Sequence, residues 1–259
     1  MPPFAFPLAG IIAGLIIGSF LATILVRWPQ GESVAKGRSR CDACDRELRY
    51  FELIPLLSYI LQSGKCRECE SRINPEHPAI ELAAAFIGGV ALYVAPGIEG
   101  LVGAIFGWQL LLLAALDVKH QWLPDRLTYL LIISGIFSAL ALDVPDIGNR
   151  IIGGVAGFVS LFAIAKIYKF LRKRDGLGGG DAKLLAGIGC WLGWMSLPLI
   201  VLLASFSGLI AALLLHKRAG QLHADTALPF GSYLAIAAFP MWLLGSAIPV
   251  EQLIDGLVL

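Results

Sequence analysis

The stretch GLGGGDAKLLAGIG, residues 176–189, places a carboxylate, Asp181, and an ammonium, Lys183, at the mouth of an apolar run, behind a cluster of glycines. A second acid occupies a similar place. In LLLLAALDVKHQWLPDRLTY, residues 110–129, Asp117 closes an apolar run, and Pro124 and Asp125 follow. Taken alone, either acid could be solvated at a membrane edge or sit at a helix N-terminus, where the macrodipole favours negative charge. Ionisable groups at the edge of an apolar span are nonetheless functional candidates. Two carboxylates a few ångströms apart cannot both ionise readily and share a proton. Such a pair can activate water with one member and protonate a carbonyl oxygen with the other. Gly176, Gly178, Gly179 and Gly180 have no Cβ, so a substrate strand or partner helix could lie against them; the alternative is a flexible linker ahead of a helix. Lys183 reads as an interface anchor with its stem along the apolar surface, or as a charge that biases the acids.

A second constellation is CDAC with CREC: Cys41, Cys44, Cys66 and Cys69 in the pattern C-x2-C-x21-C-x2-C. Each knuckle turns two thiolates toward one ion, and two knuckles complete a tetrahedron. Four sulfurs suit zinc, with iron the alternative. Because four thiolates leave no open position, the expected zinc is structural. Two disulfides are the competing reading, disfavoured if the segment lies in a reducing compartment. Cys190 sits in an apolar run and reads as a small core residue.

The elements that must carry these groups follow from composition. The chain has 259 residues, 57% hydrophobic and 15% charged, with mean hydropathy +0.76. This is too apolar for an ordinary soluble domain and predicts an all-α polytopic membrane protein with a small loop domain. No cleavable signal pattern opens the chain. Eight spans are expected near 4–26, 79–95, 98–116, 127–142, 150–171, 182–194, 196–215 and 228–248. The predicted divisions are a first transmembrane helix at 1–26, a four-cysteine metal-binding domain at 27–78 and a transmembrane core at 79–259. A piece the size of 27–78 is too small for much of a core and needs a metal or disulfides.

Lys and Arg set the orientation. Arg27, Lys36, Arg38, Arg40, Arg46, Arg49, Lys65, Arg67 and Arg72 share one loop. Lys119, Arg126, Lys166, Lys169, Arg172, Lys173, Arg174, Lys183, Lys217 and Arg218 fall on the same side, and only Arg150 falls opposite. The 27–78 side is therefore expected to be cytoplasmic, with both termini outside. Asp117 and Asp181 then share one membrane depth.

With these residues in hand, the chain resembles bacterial type IV prepilin peptidases. GGGD, residues 178–181, fits the GxGD motif of membrane aspartyl proteases, and GLGGGDAKLLAGIGCWLGW resembles the family's second active-site segment. DVKHQWLPD (117–125) resembles the first, GSFLATILVRWP (18–29) the end of the first helix, and ELRYFELIPLLSYILQSGKCREC (47–69) the four-cysteine loop. The resemblance implies that Asp117 and Asp181 are the catalytic acids, with Asp125, Gly178, Gly180 and Lys183 in supporting places. It implies a bifunctional enzyme of the bacterial inner membrane. Such an enzyme removes the basic leader of prepilins or pseudopilins on the cytoplasmic side, usually after a glycine, and N-methylates the new terminus, often Phe, with S-adenosylmethionine. The methyl-donor site cannot be placed, since no G-x-G-x-x-G follows a strand. The expected partners are those substrates and the lipid bilayer, and no nucleic acid. The alternatives are another GxGD or preflagellin peptidase, against which the cysteine loop argues, and a non-enzymatic transporter or scaffold whose acids form a proton path.

Overall fold

In the computed structural model the described residues are 4–32, 39–41, 43–174, 176–219 and 228–247, with the side chains of 215–219 set aside. Lys36, Arg38 and the last position of the 228–248 span lie outside them, as do the side chains of Lys217 and Arg218. The described residues are almost wholly helical: α1 (Ala5–Arg27), α2 (Leu57–Leu61), α3 (Glu76–Val94), α4 (Ile98–His120), α5 (Asp125–Phe137), α6 (Ile147–Arg172), α7 (Gly179–Leu192), α8 (Leu197–Ala219) and α9 (Phe230–Ala247). Two isolated antiparallel bridges are the only β pairing among them.

A helix stands at each of the eight predicted spans. Among the described residues, six helices are long and apolar enough to cross a membrane: α1, α3, α4, α6, α8 and α9. The protein is thus a multi-pass, all-α membrane protein. The other two, α5 and α7, have 13 and 14 residues, or about 20 Å of helix against the roughly 30 Å of a hydrocarbon core. Helix ends also differ from the hydropathy boundaries. α4 continues past Asp117 to His120 because nothing breaks its hydrogen bonding until Gln121, with φ +49°, and Pro124. Asp117 is therefore in the last turn of a helix rather than beyond its end.

The chain divides into two compact units, 1–108 and 109–259. In the first, α1 packs along α3 through small residues, Gly10 on Gly88 and Gly14 on Ala84, and the Trp108 indole N–H donates to the Ala84 carbonyl at 2.9 Å.

In the second unit α7 is the most enclosed helix, with ten of its residues buried. It packs on α6 where Gly153 and Gly189 face each other so closely that a Cβ on either would overlap the other's carbonyl oxygen. Without a hydrophobic drive between helices in lipid, such close backbone contact supplies the packing. On its other flank the Trp191 indole N–H donates to the Leu131 carbonyl of α5 at 3.0 Å.

Arg150, the one cation counted on the opposite side and the first residue of the expected 150–171 span, is fully buried. A count of charges cannot separate a solvated Arg from one turned inward. Its guanidinium donates to the carbonyls of Gly135 (3.0 Å), Cys190 and Trp191 (both 3.3 Å), to Pro145 (2.7 Å) and to the Ser138 hydroxyl (2.6 Å). Gly135 lies in the last turn of α5, and Cys190 and Trp191 in the last turn of α7. A helix C-terminus leaves four carbonyls without partners and carries partial negative charge, so one cation closes both short helices. Asp146 caps α6 just ahead of it, its Oδ1 accepting from the N–H groups of Gly148 (2.9 Å) and Asn149 (3.1 Å). That backbone bonding, Asn149 foremost, holds its carboxyl below the usual range.

Candidate functional site

Three helix ends meet in the second unit. Asp117 comes from the last turn of α4, Asp181 from the first turn of α7, and Gly231 and Ser232 from the first turn of α9. Both aspartates are buried. Asp117 Oδ2 accepts the Ser232 N–H at 2.7 Å. A Cβ placed on Gly231 would stand 3.0 Å from Asp117 Oδ2 and 3.0 Å from Asp181 Oδ1. The two oxygens are thus separated by at most twice that distance, and the acids act on each other electrostatically.

Asp181 uses its oxygens for different tasks. Oδ2 turns back to accept the Gly178 N–H at 3.1 Å, while the Asp181 N–H donates to the Gly178 carbonyl at 3.2 Å. The N-terminal acid reading therefore holds for one oxygen, which caps α7 at a favourable end of its dipole. The other, Oδ1, faces Gly231 and Asp117.

No backbone of this chain other than the segment's own packs on Gly178, Gly179 or Gly180. Gly178 has an ordinary extended conformation, φ −70° and ψ 143°. Gly180 gives way to the Leu123 side chain, whose Cβ lies 2.8 Å from where an alanine methyl would be, and Gly179 faces open space. Lys183 and Asp125 pair with one another, Nζ to Oδ1 at 2.6 Å, with the ammonium 5.6 Å from the centre of the Tyr129 ring. The pair ties α7 to α5 at the rim of the site, and neither member hydrogen-bonds to Asp117 or Asp181. Gly231 and Ser232 were not anticipated. Their only sequence signal is a helix start, PFGS, on the same predicted side of the membrane as both acids.

In the first unit Cys41, Cys44, Cys66 and Cys69 gather with all four sulfurs within 4.8 Å of one another, and all are free thiols. The two knuckles repeat one geometry. A bridge joins Arg40 to Glu47 and another Lys65 to Arg72, and the residue after each second cysteine, Asp45 or Glu70, has φ +55°. Cys41 and Cys69 Sγ lie 3.8 Å apart, matching the edge of about 3.8 Å that a tetrahedron with 2.3 Å metal–sulfur bonds requires. Backbone N–H groups of Cys69 and Glu68, then the Arg46 side chain, bring the Cys66 thiol down to about 6. At Cys44 the Arg46 backbone bond is outweighed by burial and cysteine neighbours, which push it up to about 11. Four clustered sulfurs cannot all be anionic without a cation, so the donor set fits a metal ion. Arg46 braces the cluster: it donates to Cys66 Sγ at 3.4 Å and to Glu52 at 2.6 and 3.0 Å.

The fold and the two constellations together define an all-α membrane protein with a candidate acid–base carboxylate pair and a four-thiol metal knuckle. The sequence profile of the Type IV leader peptidase family matches residues 104–213, and that of the Bacterial Peptidase A24 N-terminal domain matches residues 12–95. The chain is 34% identical to the prepilin leader peptidase/N-methyltransferase of Stutzerimonas stutzeri over 97% of this chain and 95% of that protein. It is 34% identical to that of Pseudomonas aeruginosa over 95% and 93%. It is 32% identical to the type 4 prepilin-like proteins leader peptide-processing enzyme of Escherichia coli O78:H11 over 90% and 92%. The chain belongs to the type IV leader peptidase family. No solved structure matches it.

Proposed function

We propose that this chain removes the leader peptide of type IV prepilins or pseudopilins through Asp117 and Asp181, and N-methylates the N-terminus so exposed. The observation that carries the first part is that the two carboxylates, from helices distant in sequence, meet beside Gly231, an oxygen of each 3.0 Å from where its Cβ would stand. The names of the relatives carry the second.

The pair holds one proton. The ionised member takes a proton from water as its oxygen attacks the scissile carbonyl carbon. The protonated member gives its proton to the carbonyl oxygen, forming a geminal diol. Collapse of the diol returns a proton to the leaving nitrogen as the C–N bond breaks. The N–H groups of Ser232 and Gly178 hold Asp117 and Asp181 in place, and the cap on Asp181 Oδ2 leaves Oδ1 for the reaction. Asp125 and Lys183 position the rim of the site. Gly178 and Gly180 shape its entry, Gly180 by seating Leu123.

The Lys and Arg distribution supports a cytoplasmic face for this site and for the domain at 27–78, in a bacterial inner membrane, with α5 and α7 as short spans completing eight and both termini outside. Cys41, Cys44, Cys66 and Cys69 hold one zinc, which stabilises the loop and takes no part in hydrolysis. S-adenosylmethionine supplies the methyl group. Among the described residues there is no strand to build a Rossmann-type cradle, and no residue is assigned to that donor.

The test is a cleavage assay with purified enzyme and a prepilin. Asp117→Asn and Asp181→Asn each abolish cleavage, Asp125→Asn reduces it less, and all three still methylate an already cleaved substrate. If both dyad variants cleave at the wild-type rate, the aspartyl peptidase reading is wrong. If Asp125→Asn is dead and Asp117→Asn active, the wrong acid has been chosen.

A further inference from the structure

The segment between the two cysteine knuckles is unusual for a water-facing loop. YFELIPLLSYIL, residues 50–61, turns through a short 3-10 helix into α2 and leaves its apolar residues outward. Tyr50 is 82% exposed, Ile60 68% and Leu61 69%, and Phe51, Ile54 and Leu57 are exposed too. A soluble surface rarely carries so many contiguous apolar side chains without something to cover them.

Two observations say what covers them. The first is depth. The Leu56 N–H, at the entry to α2, donates to Glu81 Oε2 at 2.8 Å. Glu81 is only 7% exposed and lies five residues into α3, a helix of 19 residues that is itself a candidate membrane span. At 1.5 Å per residue this is about 7 Å below the start of that helix. The bond therefore pins α2 at the level where α3 enters the bilayer, and Leu82 and Phe86 of α3 are exposed. The second is charge. The guanidinium groups of Arg49 and Arg67 lie 6.0 and 5.0 Å from the centre of the Phe51 ring, and Lys65, Arg49 and Arg67 are all exposed. Aromatic rings and long cations beside an apolar face are the composition of a segment lying in the interfacial layer. Glu52 is withdrawn from this face into its pair with Arg46.

We infer that residues 50–61 form an interfacial element, with Ile54, Leu57, Ile60 and Leu61 inserted at the headgroup boundary and Arg49, Lys65 and Arg67 on anionic lipid headgroups. The metal-knuckle loop is thereby held flat against the membrane through the Leu56–Glu81 bond, rather than projecting into water. The occupant is the bilayer the protein already sits in, and the inference does not depend on the peptidase reading.

The experiment places a fluorescent amino acid at position 60, and separately at 61, in the full-length protein, with position 70 as the knuckle control. Each is reconstituted in vesicles of phosphatidylcholine, with or without phosphatidylglycerol, carrying nitroxide lipids labelled near the headgroup or deep in the chain. Shallow nitroxide should quench positions 60 and 61 several-fold more than position 70, aqueous iodide should show the reverse order, and phosphatidylglycerol should strengthen the lipid quenching. Equal lipid quenching at 60, 61 and 70 overturns the insertion, and indifference to phosphatidylglycerol overturns the headgroup contact. Loss of lipid quenching at 60 on adding a prepilin, with a photo-crosslinker there capturing the prepilin instead of lipid, assigns the face to substrate and overturns the inference.

Discussion

Gly231→Ala adds one methyl group at the point where three helix ends meet. The new Cβ would stand 3.0 Å from Asp117 Oδ2, 3.0 Å from Asp181 Oδ1 and 2.7 Å from Leu123 Cδ1. Ordinary contacts to a Cβ begin near 3.4 Å, so each neighbour must give by some tenths of an ångström. Leu123 can rotate away. The carboxylates are held by the Ser232 and Gly178 N–H groups and can move only by weakening those bonds. Displacements of this order at a reacting pair cost about 10²-fold in rate. The fold should tolerate the change, because alanine in a helix is favoured over glycine by roughly 0.5–1 kcal/mol. The assay is steady-state cleavage of a prepilin in detergent, with thermal unfolding measured on the same sample. kcat should fall by about 10²-fold with little change in KM and no loss of Tm. Ser232→Ala is the control: the donor to Asp117 is its backbone N–H, so the rate should stay near wild type. A Gly231→Ala enzyme with wild-type kcat would refute the close approach of Gly231 to both acids.

Arg150→Met leaves the last carbonyls of α5 and α7 without their shared donor. Hydrogen bonds to a charged group contribute about 1.5–3 kcal/mol each and do not add fully, so a loss of about 3–5 kcal/mol is expected, read as a large drop in Tm with Arg150→Lys in between. Cys66→Ser should release the bound metal, measured as metal per chain by elemental analysis, and loosen the loop, while lowering cleavage less than either Asp→Asn change. Glu52, which accepts from Arg46 and from the Arg49 N–H at 2.8 Å, has its carboxyl pulled down to about 2, chiefly by the Arg46 side chain and despite burial. A depressed carboxyl stabilises above its unfolded value of 4.5 and loses that contribution as pH falls toward 2. The Tm gap between wild type and Glu52→Gln should therefore be full at pH 5 and shrink on acidification; a gap that widens would contradict the pairing.

Much of the site was legible because its chemistry depends on residue type and side of the membrane. Asp117 and Asp181 follow from acids at the ends of apolar runs with a shared orientation, and the cysteine cluster from spacing alone. What was not legible depends on packing. Nothing in PFGS marks it out, so the Ser232 backbone donor and the close approach of Gly231 become visible only when α9 is set against α4 and α7. The close backbone contact at the far end of α7, Gly189 on Gly153, carries no motif and shows only in the packing. The count of cations placed Arg150 on the opposite side but could not see the carbonyls of two short helices around it. Those helices, α5 and α7, are also why hydropathy drew spans whose ends do not match the helix ends.

The most direct measurement of the central claim is a double-mutant cycle on cleavage rate, with Asp117→Asn, Asp181→Asn and the double variant at equal membrane abundance. If the two carboxylates act as one acid–base unit, each single change removes nearly all activity and the double variant is no slower than either, because losses within a unit do not add. If the losses instead multiply, or if either single variant keeps a rate close to wild type, Asp117 and Asp181 do not form a catalytic pair.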